Sequence, residues 1–263
     1  SIDMQYYLIH GDVAGAMLLD ELLEAADRGV RVRVLVDDVL TKGQDRVFAT
    51  MDAHPNIQIR VFNPFVNRRL RSLNFLTDFN RVNRRMHNKV FIADNMVAVV
   101  GGRNIGDEYF AVREDFNFGD LDAVALGPVV NELSVMFDTY WNHRLAVPVY
   151  QAIGAPKDPE AALAAGRQRL DARMGELAES RYGRLVEDYV EFRYVDPQEF
   201  TWVPYDLVYD SPDKAGTKPN SEAESIVPPL RDAVMATERE LIVLSPYFVP
   251  GERTLEGFRA LRE

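Results

Sequence analysis

The sequence predicts an α/β fold, a β-sheet with helices packed against it. Three stretches carry that expectation. Residues 2–36 read as strand, helix, strand. Residues 86–102 read as two apolar strands joined by a tight turn. Residues 121–141 read as a strand followed by an apolar helix.

Ile2-Asp3-Met4-Gln5-Tyr6-Tyr7 alternates as a strand does, with no turn or cap before it, so residues are expected upstream of Ser1. Asp12 is placed to cap a helix from Val13 to Arg28, whose apolar stripe is Ala14, Met17, Leu18, Leu22 and Ala25. Gly29 ends it, and Val30 to Val36 forms the next strand. Strand–helix–strand implies parallel pairing. Asp37-Asp38 follow. Such a pair could hold Mg²⁺, but no neighbouring residues complete an oxygen set, and a solvated strand end is the favoured reading. Residues 43–53 read as a short helix, and Ile57 to Phe62 as a third strand.

In the hairpin, Met86 to Ala93 and Met96 to Gly102 are apolar strands joined at Asp94-Asn95, residue types that tolerate positive φ. A two-residue turn would set Gly102 opposite His87, Gly101 opposite Asn88 and Asn104 opposite Arg85. His87 and Lys89, two apart, share a face. An imidazole, a fixed cation and an amide donor around a gap kept clear by glycine suit a phosphoryl group.

The spacing His-x-Lys-x4-Asp, then Gly-Gly-x-Asn, resembles the phospholipase D superfamily. His87, Lys89 and Asp94 fall on its three motif positions, and Gly101, Gly102 and Asn104 on its downstream element. The resemblance implies an α-β-α sandwich with a mixed, largely parallel central sheet flanked by helices. It also implies that Asp120, opening Asp120-Leu121-Asp122, pairs with the motif histidine, where the plain alternative is a turn cap. His87, Lys89, Asp94, Asn104 and Asp120 become the candidate catalytic residues, with Lys89, Asn104, Gly101 and Gly102 around the phosphate. No metal and no cofactor is implied. In the resembled family a histidine of one half attacks the phosphodiester, and its counterpart in the other half works as acid and base.

Gly101-Gly-Arg-Asn-Ile-Gly-Asp-Glu-Tyr and Ile2-Asp-Met-Gln-Tyr-Tyr look most like bacterial cardiolipin synthases of the C-type branch. That resemblance implies transfer of a phosphatidyl group between phospholipids such as phosphatidylglycerol and phosphatidylethanolamine. It places the protein peripherally, on the cytoplasmic face of the bacterial inner membrane. Only one His-Lys-Asp motif is present. Some family members pair two single-motif chains as a homodimer. Here residues 241–252 echo residues 1–12, with Ile2 on Ile242, Tyr7 on Tyr247 and Gly11 on Gly251. The expected organisation is a first half over 1–150, a helical connector and strand region over 151–237, and the opening of a second half over 238–263, with weak or no activity for the piece alone.

Residues 67–85 hold Arg68, Arg69, Arg71, Arg81, Arg84 and Arg85 against one acid, Asp78, with Leu70, Leu73, Phe75, Leu76 and Phe79 between them. This strip reads equally as a surface docking on anionic lipid and as a helix packing on the core with a solvated Arg face. Val129 to Trp141 is an apolar helix. Residues 159–192 are one long helix, or two with a break near Gly183, and Phe200 to Val208 is a further strand. Lys214 and Lys218 lie in a polar loop, solvated rather than phosphate-binding, and a helix runs from Glu222 to Thr237.

A net charge of −11 disfavours a nucleic-acid binder, so no nucleic acid is expected as partner. The absence of Cys excludes disulfides and thiol catalysis. Two other readings compete with the phosphatidyltransferase: a phosphodiesterase of the same family acting on nucleic acid, and a non-catalytic membrane-binding fragment.

Overall fold

The computed structural model describes residues 1–39, 41, 43–66, 68, 81, 83–190, 200–216, 225–243, 251, 255 and 257–259, the side chains of 188–190 excepted. Its centre is a seven-stranded sheet. The strands are β1 (Ile2–Tyr6), β2 (Val32–Asp37), β3 (Ile57–Phe62), β4 (Val90–Ala93), β5 (Val97–Gly101), β6 (Asp122–Leu126) and β7 (Ala146–Pro148). Their order is β6-β5-β4-β1-β2-β3-β7. The sheet is mixed, as expected. Parallel pairing is confined to β1–β2 and β2–β3, however, and the neighbours β1–β4, β4–β5, β5–β6 and β3–β7 are antiparallel. The emphasis on parallel strands is therefore corrected. The two parallel pairs are those of the strand–helix–strand units, which need crossover connections, and β4–β5 is a tight hairpin.

Alternation along β1 sorts the two faces. Met4 and Tyr6 join a core with Leu19, Leu22 and Leu23 of helix α1 (Val13–Asp27) and Phe48 and Met51 of helix α2 (Asp45–Met51). Asp12 caps α1 as expected, accepting from the Gly15 amide at 3.1 Å. The opposite face is covered by α3 (Pro128–Trp141), through Val130, Leu133, Phe137 and Trp141. There Asp3, buried, holds Arg33 in a two-point pair at 2.6 and 2.7 Å. Helix, sheet and helix thus make three layers.

After β7 comes a short helix, α4 (Val149–Ala152), then α5 (Pro159–Ala178) and α6 (Arg181–Val190). The segment is two helices, as the second reading had it, with the break at Glu179-Ser180, just ahead of Gly183. Gly183 lies inside α6, where a Cβ would sit 2.0 Å from the Leu177 carbonyl oxygen, so glycine lets α6 fold back on the last turn of α5. Residues 200–208 form no strand: they run over the surface without ladder partners, with Trp202 and Val203 exposed. Their alternating apolar pattern marks contact at intervals, such as the Tyr205 hydroxyl donating to Glu132 at 2.7 Å. Helix α7 (Val227–Met235) sits within the segment expected to be helical. Among the described residues no helix is long and apolar enough to cross a membrane.

Candidate active site

The hairpin turn forms where Asp94 and Asn95 allow it, at φ of 53° and 54°. Its register differs from expectation by one. Ala93 pairs with Val97 and Val90 with Val100, so Met96 belongs to the connection, and the ladder begins only at Val90. Gly102 therefore does not face His87. Both glycines serve the other neighbour, β6: a Cβ at Gly102 would lie 2.1 Å from Oδ1 of Asp120, and one at Gly101 2.0 Å from Oδ1 of Asp122. The glycine pair brings these carboxylates against the hairpin rather than clearing a gap opposite the imidazole.

His87 and Lys89 nevertheless meet, on the segment just ahead of β4. Nζ of Lys89 lies 3.1 Å from Nδ1 of His87 and donates to the His87 carbonyl oxygen at 2.7 Å. Lys89 is buried and His87 exposed. Burial pushes the Lys89 ammonium down to about 8, with Asp120 acting in the opposite sense. Burial, then the charge of Lys89, holds the His87 imidazolium below its ordinary value, again opposed by Asp120. Neutral imidazole therefore dominates at neutral pH. The ring of Tyr7 packs against that of His87, centroids 4.7 Å apart, and Lys89 Nζ stands 5.4 Å from the same ring.

Asn104 is fixed by a strap of backbone bonds: Ile105 N–H donates to the Leu8 oxygen at 3.1 Å, and His10 N–H to the Ile105 oxygen at 2.9 Å. Leu8 follows Tyr7, so the strap ties Asn104 to the same end of β1. Asn104 is buried. Its Nδ2 donates to the Tyr109 hydroxyl at 3.0 Å, and its Oδ1 has no partner among the described residues. Turning the amide over would let Tyr109 donate to Oδ1 and free the NH₂ for a ligand. The Asp120 carboxylate covers Gly102 and accepts from the Leu121 amide at 3.0 Å. Nδ1 of His87 faces Lys89, not this carboxylate. Asp94 lies in the turn at the far end of the hairpin, 71% exposed, remote from His87.

The support beneath His87 escaped the sequence reading. Asp37 and Asp38 are fully buried, so the solvated strand end is overturned. Asp37 accepts from the amides of Val39 at 2.8 Å and Met86 at 2.9 Å, and Arg85 stands 3.4 Å away. Burial pushes Asp37 up to about 7 against the pull of Arg85 and those amides. Asp38 accepts from the Phe65 amide at 2.8 Å and the Thr41 hydroxyl at 2.7 Å, and pairs with Arg68. Asn63, buried at φ 49°, donates to the carbonyls of Arg81 at 3.0 Å and Arg84 at 2.8 Å. The available signal was charge matching: two acids at a strand end and arginines in the next loop.

The described arginines of the strip thus turn inward. Arg68 and Arg85 meet Asp38 and Asp37, Arg81 meets Asn63, and Arg84 donates to the Lys214 carbonyl at 2.7 Å. Arg69, Arg71 and the apolar residues between 70 and 79 lie outside the described residues, as do Lys218 and most of the 241–252 echo. Lys214 is engaged by Asp210 at 2.6 Å, and both line a cavity of about 220 Å³ with Arg84, Arg85, Tyr140 and His87.

Residues 1–141 match a family model described as "Cardiolipin synthase, PLD-like domain". The chain is 39% identical over 254 residues to Cardiolipin synthase C of Escherichia coli K12, covering 95% of the chain and 52% of that protein. It is 32% identical over 283 residues to an uncharacterized protein of Helicobacter pylori 26695, covering 98% and 51%. It is 34% identical over 142 residues to the major cardiolipin synthase ClsA of Bacillus subtilis, covering 54% and 28%. The chain spans about half the length of the first two of these relatives.

Proposed function

The chain belongs to the cardiolipin synthase family of phospholipase D-like domains, and from that premise we propose that it supplies the nucleophilic half of a phosphatidyltransferase. His87 Nε2 attacks the phosphorus of a phospholipid, the bond to the leaving glycerol oxygen breaks, and an acid outside this half gives that oxygen a proton. The hydroxyl of a second phospholipid then attacks, its proton passes to the same outside group, and His87 is released.

The observation that supports this reading is the exposed imidazole with a buried ammonium 3.1 Å from its Nδ1. Nε2 can attack only when Nδ1 carries the ring proton. With Lys89 donating to Nδ1, the resting tautomer is the unreactive one. A phosphoryl group resolves this: its oxygens draw the Lys89 ammonium away, the ring proton passes from Nε2 to Nδ1 through solvent, and Asp120 accepts the hydrogen bond from the new Nδ1–H. Substrate binding and activation of the nucleophile become one event. Asn104 holds the remaining phosphoryl oxygen, and Asp94 orders the hairpin. Phosphatidylglycerol or phosphatidylethanolamine serves as substrate, at the cytoplasmic membrane surface. The 263 residues hold one such motif, so turnover by this piece alone is weak or absent.

The test is the full-length protein with phosphatidylglycerol and phosphatidylethanolamine, beside single-stranded DNA. Lipid product without DNA cleavage, lost in His87→Ala, is the expected result. DNA cleavage without lipid product selects the nuclease reading, and lipid turnover that survives His87→Ala overturns the role of His87.

A further inference from the structure

The largest cavity described is not the one beside His87. It is a groove of about 690 Å³ between α1 and α2 on one side and α5 on the other, within the range of small-molecule sites. Helix α5 rests Leu163 and Leu170 on the core formed with α1 and α2 and adds polar and close contacts around them. A Cβ at Gly166 would lie 2.7 Å from Thr50 Cγ2, Arg167 makes a two-point pair with Asp27 at 2.7 Å, and Arg173 donates to the Gly11 carbonyl at 2.9 Å. The groove runs beside these contacts. The floor is aliphatic: Leu19, Leu23 and Met51 are buried, with Leu163 and Leu170 across from them.

The rim is cationic in a chain of net charge −11. Arg46, Arg167, Arg169 and Arg173 line it, against one acid, Asp45, already paired with Arg68. Arg46 and Arg169 make no ion pair among the described residues. Gly11, Gly43 and Gln44, at one end of the groove, follow the carboxyl ends of β1 and β2. An aliphatic floor under unpaired guanidinium groups matches a molecule with a hydrocarbon chain and a phosphate, and guanidinium is suited to phosphate oxygens.

We infer that the groove between α1, α2 and α5 binds an anionic phospholipid, its acyl chain along the floor and its phosphate at Arg46 and Arg169, at a site separate from His87. The inference does not depend on the chemistry assigned to His87.

The test is isothermal titration of the 263-residue chain with dihexanoyl-phosphatidylglycerol below its micellar concentration. Parallel titrations use the zwitterionic dihexanoyl-phosphatidylcholine and inorganic phosphate. Saturable binding of the phosphatidylglycerol is expected, equal in His87→Ala. It should be roughly tenfold weaker or more in an Arg46→Glu/Arg169→Glu double variant, as loss and reversal of two exposed charge contacts implies. Both arginines are exposed, so that variant should unfold at the same temperature as the parent chain. Inorganic phosphate should show no saturable binding, and raised salt should weaken the lipid. Binding lost in His87→Ala but kept in the double variant would put the lipid in the His87 site. That result, equal binding of phosphatidylcholine, or no saturable lipid binding would overturn the inference.

Discussion

Replacing Asp37 by Ala should destabilise the protein by about 3–5 kcal/mol. The substitution strips the acceptor from the buried Met86 amide, at a cost of roughly 1–3 kcal/mol, and from the half-buried Val39 amide, at less. It also removes the carboxyl group beside the Arg85 guanidinium, which is charged in only part of the molecules at pH 7, so this loss falls below the roughly 3–5 kcal/mol of a fully charged buried pair. Arg85 keeps its bond to the Asn63 carbonyl at 2.9 Å, and the three losses are not independent, so their full sum overstates the effect. Urea unfolding at pH 7 should show a midpoint lowered by roughly 1–2 M. Asp37→Asn adds a pH signature. Burial raises the carboxyl to about 7 in the folded protein, above its unfolded value. The stability this group contributes is then fully present below about pH 4 and is lost as the pH climbs to about 7. Asparagine does not titrate, so its cost relative to wild type should be largest at about pH 4 and below, and shrink steadily to about pH 7. A loss under about 1 kcal/mol for Asp37→Ala, or a cost for Asp37→Asn constant across that window, would refute the idea of a buried carboxylate anchoring the backbone ahead of His87.

Turnover by the full-length protein should be bell-shaped in pH. Its acid limb lies below the ordinary imidazole value, where His87 protonates, and its alkaline limb near 8, where Lys89 loses its proton; in Lys89→Arg the alkaline limb should move beyond the measured range. Gly102→Ala should cost roughly 1–2 kcal/mol in urea unfolding, because its methyl group meets Oδ1 of Asp120 at 2.1 Å and must push that side chain aside. Asn104→Ala should lower kcat about 10²-fold with a smaller effect on KM, as loss of one donor to a charged transition state does. Asp120→Asn should slow the reaction while leaving the unfolding midpoint nearly unchanged, and equal losses of both would reassign Asp120 to structure.

The elements with the clearest periodicity were the most legible. The capped helix after Asp12, the β3 strand and the apolar α3 helix were readable from local pattern alone. The turn at Asp94-Asn95 was legible because few residue types accept its φ values. The register was not, because one further residue in the connection shifts every facing pair, and nothing local distinguishes two residues from three. Asp37-Asp38 were misread for a related reason. Local sequence marks an acidic pair as solvated, and only the long-range approach of Phe65 and Met86 buries it under backbone donors. Long-range pairing likewise accounts for the described arginines of the strip: the partner of Arg85 lies 48 residues away and that of Arg84 130 residues away. The alternation in residues 200–208 was real, but these residues form no ladder.

The most direct measurement is mass spectrometry of the full-length protein, quenched in alkali during turnover with phosphatidylglycerol and digested to peptides. A phosphatidyl group on the imidazole of His87, absent in His87→Ala and removed on adding the acceptor lipid, is the predicted result. Steady turnover with His87 never modified, or an adduct on another side chain of this half, would contradict it.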